Sequence, residues 1–174
     1  MVSIGFRVSP KKVTYALVEG TPPANFTLLN ASAVFIPPAL ETPRQLQFIR
    51  TTLLDVMEEY AVSRAGLRIA EGLALKRNPF RLNLEGVVQE MLASSTVERF
   101  VAAQIATIAA LLGHKDRTII KKMIAGEQAP QYSLNWAALS EDEREAVLLA
   151  VAAACASTSR SIPVGGTTSG SVGP

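Results

Sequence analysis

The stretch "IGFRVSPKKVTYALVEG", residues 4–20, decides the fold. Its second half alternates Val13, Tyr15 and Leu17 against Thr14, Ala16 and Val18, the period-2 pattern of a strand. The preceding "VSIGFRV" is a first strand, and "SPKK" between them is a turn whose proline interrupts the ladder. The two halves therefore predict a β-hairpin. After the "GTPPAN" break, "FTLLNASAVFI" is β-branched and aromatic enough for a third strand, closed by Pro37 and Pro38. Three strands in sequence imply an antiparallel meander.

Working outward, "ETPRQLQFIRTTLLDVMEEYAVS" predicts a helix. Thr42 stands as N-cap, Pro43 suits the first helical position and Gln45 completes a capping box. Leu46, Ile49, Leu53, Met57 and Tyr60 recur every three to four residues and face a core. "GLRIAEG" is short, apolar and bounded by glycines, as a buried fourth strand is, with Glu71 at its C-terminal end. Ligands collect at such strand ends in open α/β sheets. "PFRLNLEGVVQEMLA" follows as a helix, "TVERFV" as a fifth strand, and "AAQIATIAALLG" and "KDRTIIKKMIAG" as short helices. "NWAALSEDEREAVLLAVAAACA" is the last helix, with Ser140 and Glu143 as its capping box. A meander, a helix, then strands alternating with helices is an α/β layout on a mixed five-stranded sheet.

The chain has 174 residues, 48% hydrophobic and 18% charged, enough for one domain with one core. That domain is expected over residues 1–156. Residues 157–174 are Gly, Ser, Thr and Pro with almost nothing to bury, and are expected to form a flexible tail. No apolar run approaches the ~20 residues of a membrane span, and no charged-then-apolar leader opens the chain, so a soluble, cytoplasmic protein is expected. One cysteine, Cys155, and one histidine, His114, leave no material for an internal disulfide or a Cys/His zinc cluster. Any metal here is a hard cation held by oxygen. A net charge of +2 permits contact with phosphate without demanding it.

In order along the chain, "IGFRVSPKKVTYALVE", "RIAEGLALKRNPFRLNLEGVV", "ERFVAAQIATIAALLGHKDRTIIKKMI" and "EDEREAVLLAVAAA" resemble segments of the RuvC family of Holliday-junction resolvases. The likeness covers roughly residues 2–155 and implies a ribonuclease H-like fold. It also implies a homodimer, a branched nucleic-acid partner, and Mg²⁺ as cofactor if the chain is active. Carried over by position, it places Glu71 at the second catalytic acid, and Asp142 and Glu145 at the pair on the last helix. These three would be the metal ligands of an active site. The first catalytic position holds Arg7, or Phe6 if the register shifts by one. No Asp or Glu precedes Glu19, so the acid is missing under either alignment.

In two-metal hydrolysis carboxylates hold two divalent ions about 3.5–4 Å apart, and the resemblance makes the first-strand acid their bridge. A guanidinium about 4 Å from a divalent ion is repelled by roughly 8 kcal/mol at an effective dielectric near 20. It cannot deprotonate to escape. Three readings of Arg7 stay open: it pairs with Glu71, Asp142 or Glu145 in place of metal; it points to solvent; or the site is rebuilt around one ion. The acids at the start of the last helix also suit the helix dipole without any chemistry.

Lys76, Arg77 and Arg81, with Lys115 and Arg117, are the candidate phosphate contacts, and Phe80 a candidate stacking or wedging residue. Their bland alternative is a solvated basic surface with Phe80 packed under its own helix. His114 has the ordinary setting of a loop histidine, Cys155 that of a small core residue, and Tyr132 and Trp136 that of loop anchors. The sequence favours a nucleic-acid-binding protein with lost or reduced metal-dependent cleavage. The alternatives are an active Mg²⁺ endonuclease with an unusual ligand set, and a protein-interaction module on the same fold.

Overall fold

The computed structural model describes residues 1–22, 25–69 and 78–156. Five strands appear in chain order: β1 (Val2–Val8), β2 (Lys12–Thr21), β3 (Asn25–Phe35), β4 (Arg64–Arg68) and β5 (Arg99–Ala103). They form one sheet in the order β3-β2-β1-β4-β5. The first three strands pair antiparallel, as the hairpin reading requires, while β4 joins β1 and β5 joins β4 in parallel. This is the expected mixed sheet, a meander extended by two parallel strands.

Helices cover both faces. On one, α1 (Thr42–Glu59) and α2 (Pro79–Ala93) bury Ile49, Leu53, Met57, Leu84, Val88 and Met91 against Ile4, Phe6 and Val8 of β1. On the other, α3 (Ile105–Leu111), α4 (Arg117–Ala125) and α5 (Glu141–Cys155) enclose a second core. Every residue of α5 from Glu145 to Ala154 is buried, which is why its sequence is apolar on all sides rather than along a stripe. Among the described residues no helix is long and apolar enough to cross a membrane.

Several boundaries differ from the sequence reading. Glu41, not Thr42, is the N-cap of α1, and no side-chain cap bond forms there. Gln45 instead donates to the Pro37 carbonyl at 3.0 Å, tying the helix to the end of β3, so the Thr42 capping box is absent. The fourth strand starts at Arg64 rather than Gly66, and the fifth shifts onward to Ala103, taking two alanines expected in α3. Parallel pairing with β1 and β4 sets those limits, and local propensity does not reveal it. The last helix starts at Glu141, where the expected Ser140 cap puts it, and the preceding residues Trp136–Ala138 form a separate 3-10 turn. Ser140 and Glu143 do make the reciprocal capping box. Glu71, Lys76 and Arg77, and the tail 157–174, lie outside the described residues.

Candidate functional site

Side chains on β1 alternate between the two cores. Ile4, Phe6 and Val8 enter the α1/α2 core, and Ser3, Gly5 and Arg7 turn to the α5 side. On β4 the same alternation sends Ala65 and Leu67 one way and Arg64, Gly66 and Arg68 the other. Ala16, Gly5 and Gly66 are register partners across β2, β1 and β4, and they make a floor almost free of side chains. The backbone of α5 rests on it. A Cβ at Gly5 would lie 2.5 Å from the Ala150 nitrogen and closer still to the Ala146 carbonyl oxygen; one at Gly66 would lie 2.7 Å from the Leu149 oxygen.

This close seat, with α5 running against β1 and β4, brings the first turns of α5 over the C-terminal ends of those strands. The opposite end is tied by Arg64, whose guanidinium donates to the Ala154 carbonyl. Arg144 steadies the N-terminal end, donating from Nε to the Trp136 carbonyl at 3.1 Å and from Nη1 to the Ile124 carbonyl at 3.2 Å.

At the N-terminal end of α5 five charged side chains converge. Glu145, only 7% exposed, lies between two guanidinium groups. Its Oε1 accepts from Arg68 Nε at 2.8 Å, and its Oε2 stands 2.5 Å from Arg7 Nε. The Arg7 N–H is not aimed along that short line, so this contact is Coulombic rather than a directed hydrogen bond. Arg7 Nη1 donates to the Val8 carbonyl at 2.8 Å, which holds the guanidinium at the strand end. Arg7 Nε is also 4.0 Å from Asp142 Oδ1, while Lys12 Nζ bonds Asp142 Oδ2 at 2.9 Å. Three cations thus meet two carboxylates among these described side chains.

The structure brings Arg7, Asp142 and Glu145 together. Phe80 is half-buried against the α1/α2 core. Arg81 forms an i,i+4 ion pair with the buried Glu85 at 2.9 Å. Lys115 and Arg117 are exposed on either side of Asp116, the N-cap of α4. Two members of the cluster were not singled out from sequence. Lys12 reads there only as a turn lysine. Arg68 reads as an interruption in an apolar strand, although its spacing from Gly66 and Arg64 marks a shared face. Among the described residues no three His, Cys, Asp or Glu side chains are grouped to hold a metal ion.

An α/β sheet in this order, with helices on both faces, is ribonuclease H-like. Within that class the fold is that of RuvC. Thermus thermophilus RuvC superposes with a TM-score of 0.65 at 17% identity, over 89% of this chain and 94% of that one. The T. thermophilus RuvC in complex with a Holliday junction substrate gives a TM-score of 0.64 at 14% identity, over the same shares of the two chains. No protein-family model and no curated protein sequence matches the chain.

Proposed function

We propose that this protein binds branched nucleic acid on a RuvC-like scaffold in which fixed side-chain cations replace catalytic metal, so that strand cleavage is lost or much reduced. The observation that carries the reading is Glu145 held between Arg7 and Arg68. Both carboxylate oxygens already face a positive group, and a divalent ion placed there would meet two guanidinium groups that cannot deprotonate. The described side chains therefore do not fit the two Mg²⁺ ions of the resemblance. The T. thermophilus complex with a Holliday junction supports the partner class. Lys115 and Arg117, exposed near the start of α4, and the basic segment with Lys76 and Arg77 supply phosphate contacts in this reading. The homodimer belongs to the same reading, with two chains on each junction.

The test is a fluorescently labelled four-way DNA junction titrated with purified protein, once in Mg²⁺ and once in EDTA. Binding that weakens with salt in both buffers, with the strands intact after incubation, is the expected result. Mg²⁺-dependent cutting that Glu145→Gln abolishes would establish the active endonuclease instead. No binding to any branched or linear nucleic acid would leave the protein-interaction role.

A further inference from the structure

Phe35 is the most exposed large hydrophobic side chain among the described residues, at 68%, against 47% for Met1 and 40% or less for the others. It ends β3, and its register partner on β2 is Lys12. Directly opposed residues of an antiparallel pair put their side chains on the same face. The neighbouring pairs show which face that is. Val13 and Val34 both pack in the α1/α2 core, whereas Ala16 and Ala31 both pack in the α5 core. Lys12 and Phe35 therefore share the α5 side, where Lys12 bonds Asp142.

The result is a strip across four strands: Phe35 on β3, Lys12 on β2, Arg7 on β1 and Arg68 on β4, with Asp142 and Glu145 set between the cations from α5. Arg7 lies opposite Thr14, two residues along β2 from Lys12, so the strip runs diagonally and is about 16 Å long at about 4.8 Å per strand and about 3.4 Å per residue. An exposed ring at the end of a row of cationic side chains is how proteins hold unpaired nucleotides, with the ring stacked on a base and the cations facing the backbone. Nothing in the packing of the sheet requires the ring, since most of its surface meets water.

We propose that Phe35, beside Lys12, is a stacking platform for an unpaired base whose phosphate rests on Lys12 and Arg7, in the middle of the strip. The inference rests on the proposed nucleic-acid role and places a base at a position distinct from Phe80. Its test uses full-length protein and a four-way DNA junction carrying 2-aminopurine at the crossover, with fluorescence anisotropy for affinity. Binding of wild-type protein is expected to change the 2-aminopurine emission through stacking on Phe35. Phe35→Ala is expected to abolish that change and weaken binding roughly 5- to 150-fold. Phe35→Trp is expected to restore affinity. Because the ring is exposed, circular dichroism should show both variants folded. If wild-type protein binds the junction and Phe35→Ala binds equally well with the same 2-aminopurine response, the stacking inference alone is overturned. If wild-type protein binds no nucleic acid, the inference falls together with the proposed function.

Discussion

Glu145 gives the two readings of the site opposite stability signatures. In a bare acidic metal centre the carboxylates repel one another, so neutralising one in a chelating buffer raises stability. Here Glu145 is buried and answers two guanidinium groups, so its loss leaves buried positive charge without a counterion. Breaking such a pair costs about 3–5 kcal/mol. Glu145→Gln measured by thermal denaturation in EDTA should therefore lower Tm by roughly 6–20 °C. Asp142 has a side chain 32% exposed, and water screens its bonds to Lys12 and Arg7. Asp142→Asn should cost less than about 1 kcal/mol. A rise in Tm for Glu145→Gln would mark the cluster as an unfilled acidic site. At this scale the sequence shows that no Asp or Glu precedes Glu19, and the meeting of Arg7 with Asp142 and Glu145 was among the readings it left open. The partnership of Arg68 was not. It arises from the parallel register that pairs Phe6 with Leu67 and sets the next residue of each strand beside Glu145.

The elements that carry the site depend on how closely α5 lies on the sheet. The hairpin, α2 and the start of α5 were legible because each carries a local signal: alternation, the proline start at Pro79, and the Ser140 and Glu143 box. The end of α1 was not. Ala61 takes the left-handed conformation there, at a φ of 47°, with Ala61 and Val62 donating back to the Glu58 and Met57 carbonyls in a position that glycine usually fills. The role of Gly5 was hidden too, since in sequence it looks like any glycine in a strand. In the fold it lets α5 approach, and Gly5→Ala should push the helix off the floor and cost about 3 kcal/mol or more. Gly86 makes the control. It lies in the interior of α2, an added Cβ there meets nothing within 4 Å, and Gly86→Ala should stabilise by about 0.5–1 kcal/mol. Urea unfolding of the two variants checks the contrast. Equal stability for Gly5→Ala and wild type would mean that α5 does not sit where its carboxylates can reach Arg7 and Arg68.

Across the whole molecule, the order of strands and helices conveyed the layered architecture, while the side-chain contacts that join its parts over long sequence distances stayed hidden. The segment after α4 shows both. Tyr132 and Trp136 were legible as anchors, but not what they anchor to. Tyr132 meets Phe26 of the edge strand β3 edge-on at 4.9 Å between ring centroids and Trp136 at 6.4 Å, and Trp136 donates to the Met123 carbonyl of α4 at 2.9 Å. One end of the second core is closed this way. Burial, with a smaller contribution from the nearby Cys155 thiol, pushes the Tyr132 hydroxyl up to about 12 from 10.0. In the unfolded chain the phenol loses its proton at lower pH than in the folded one, so the unfolded state binds fewer protons between those values. The stability contributed by Tyr132 is therefore complete below pH 10 and is lost as pH rises toward 12. Two units set a ceiling of about 2.7 kcal/mol, and a hydroxyl partly reached by water should give about half that. Other groups titrate in the same range, including Tyr15, which burial also raises, so the informative quantity is a difference. Urea unfolding from pH 8 to 11.5 should show wild-type stability falling more steeply than that of Tyr132→Phe, which has no proton to lose at that position. Parallel profiles for the two proteins would mean that the Tyr132 hydroxyl is open to water and that the segment after α4 does not close the core.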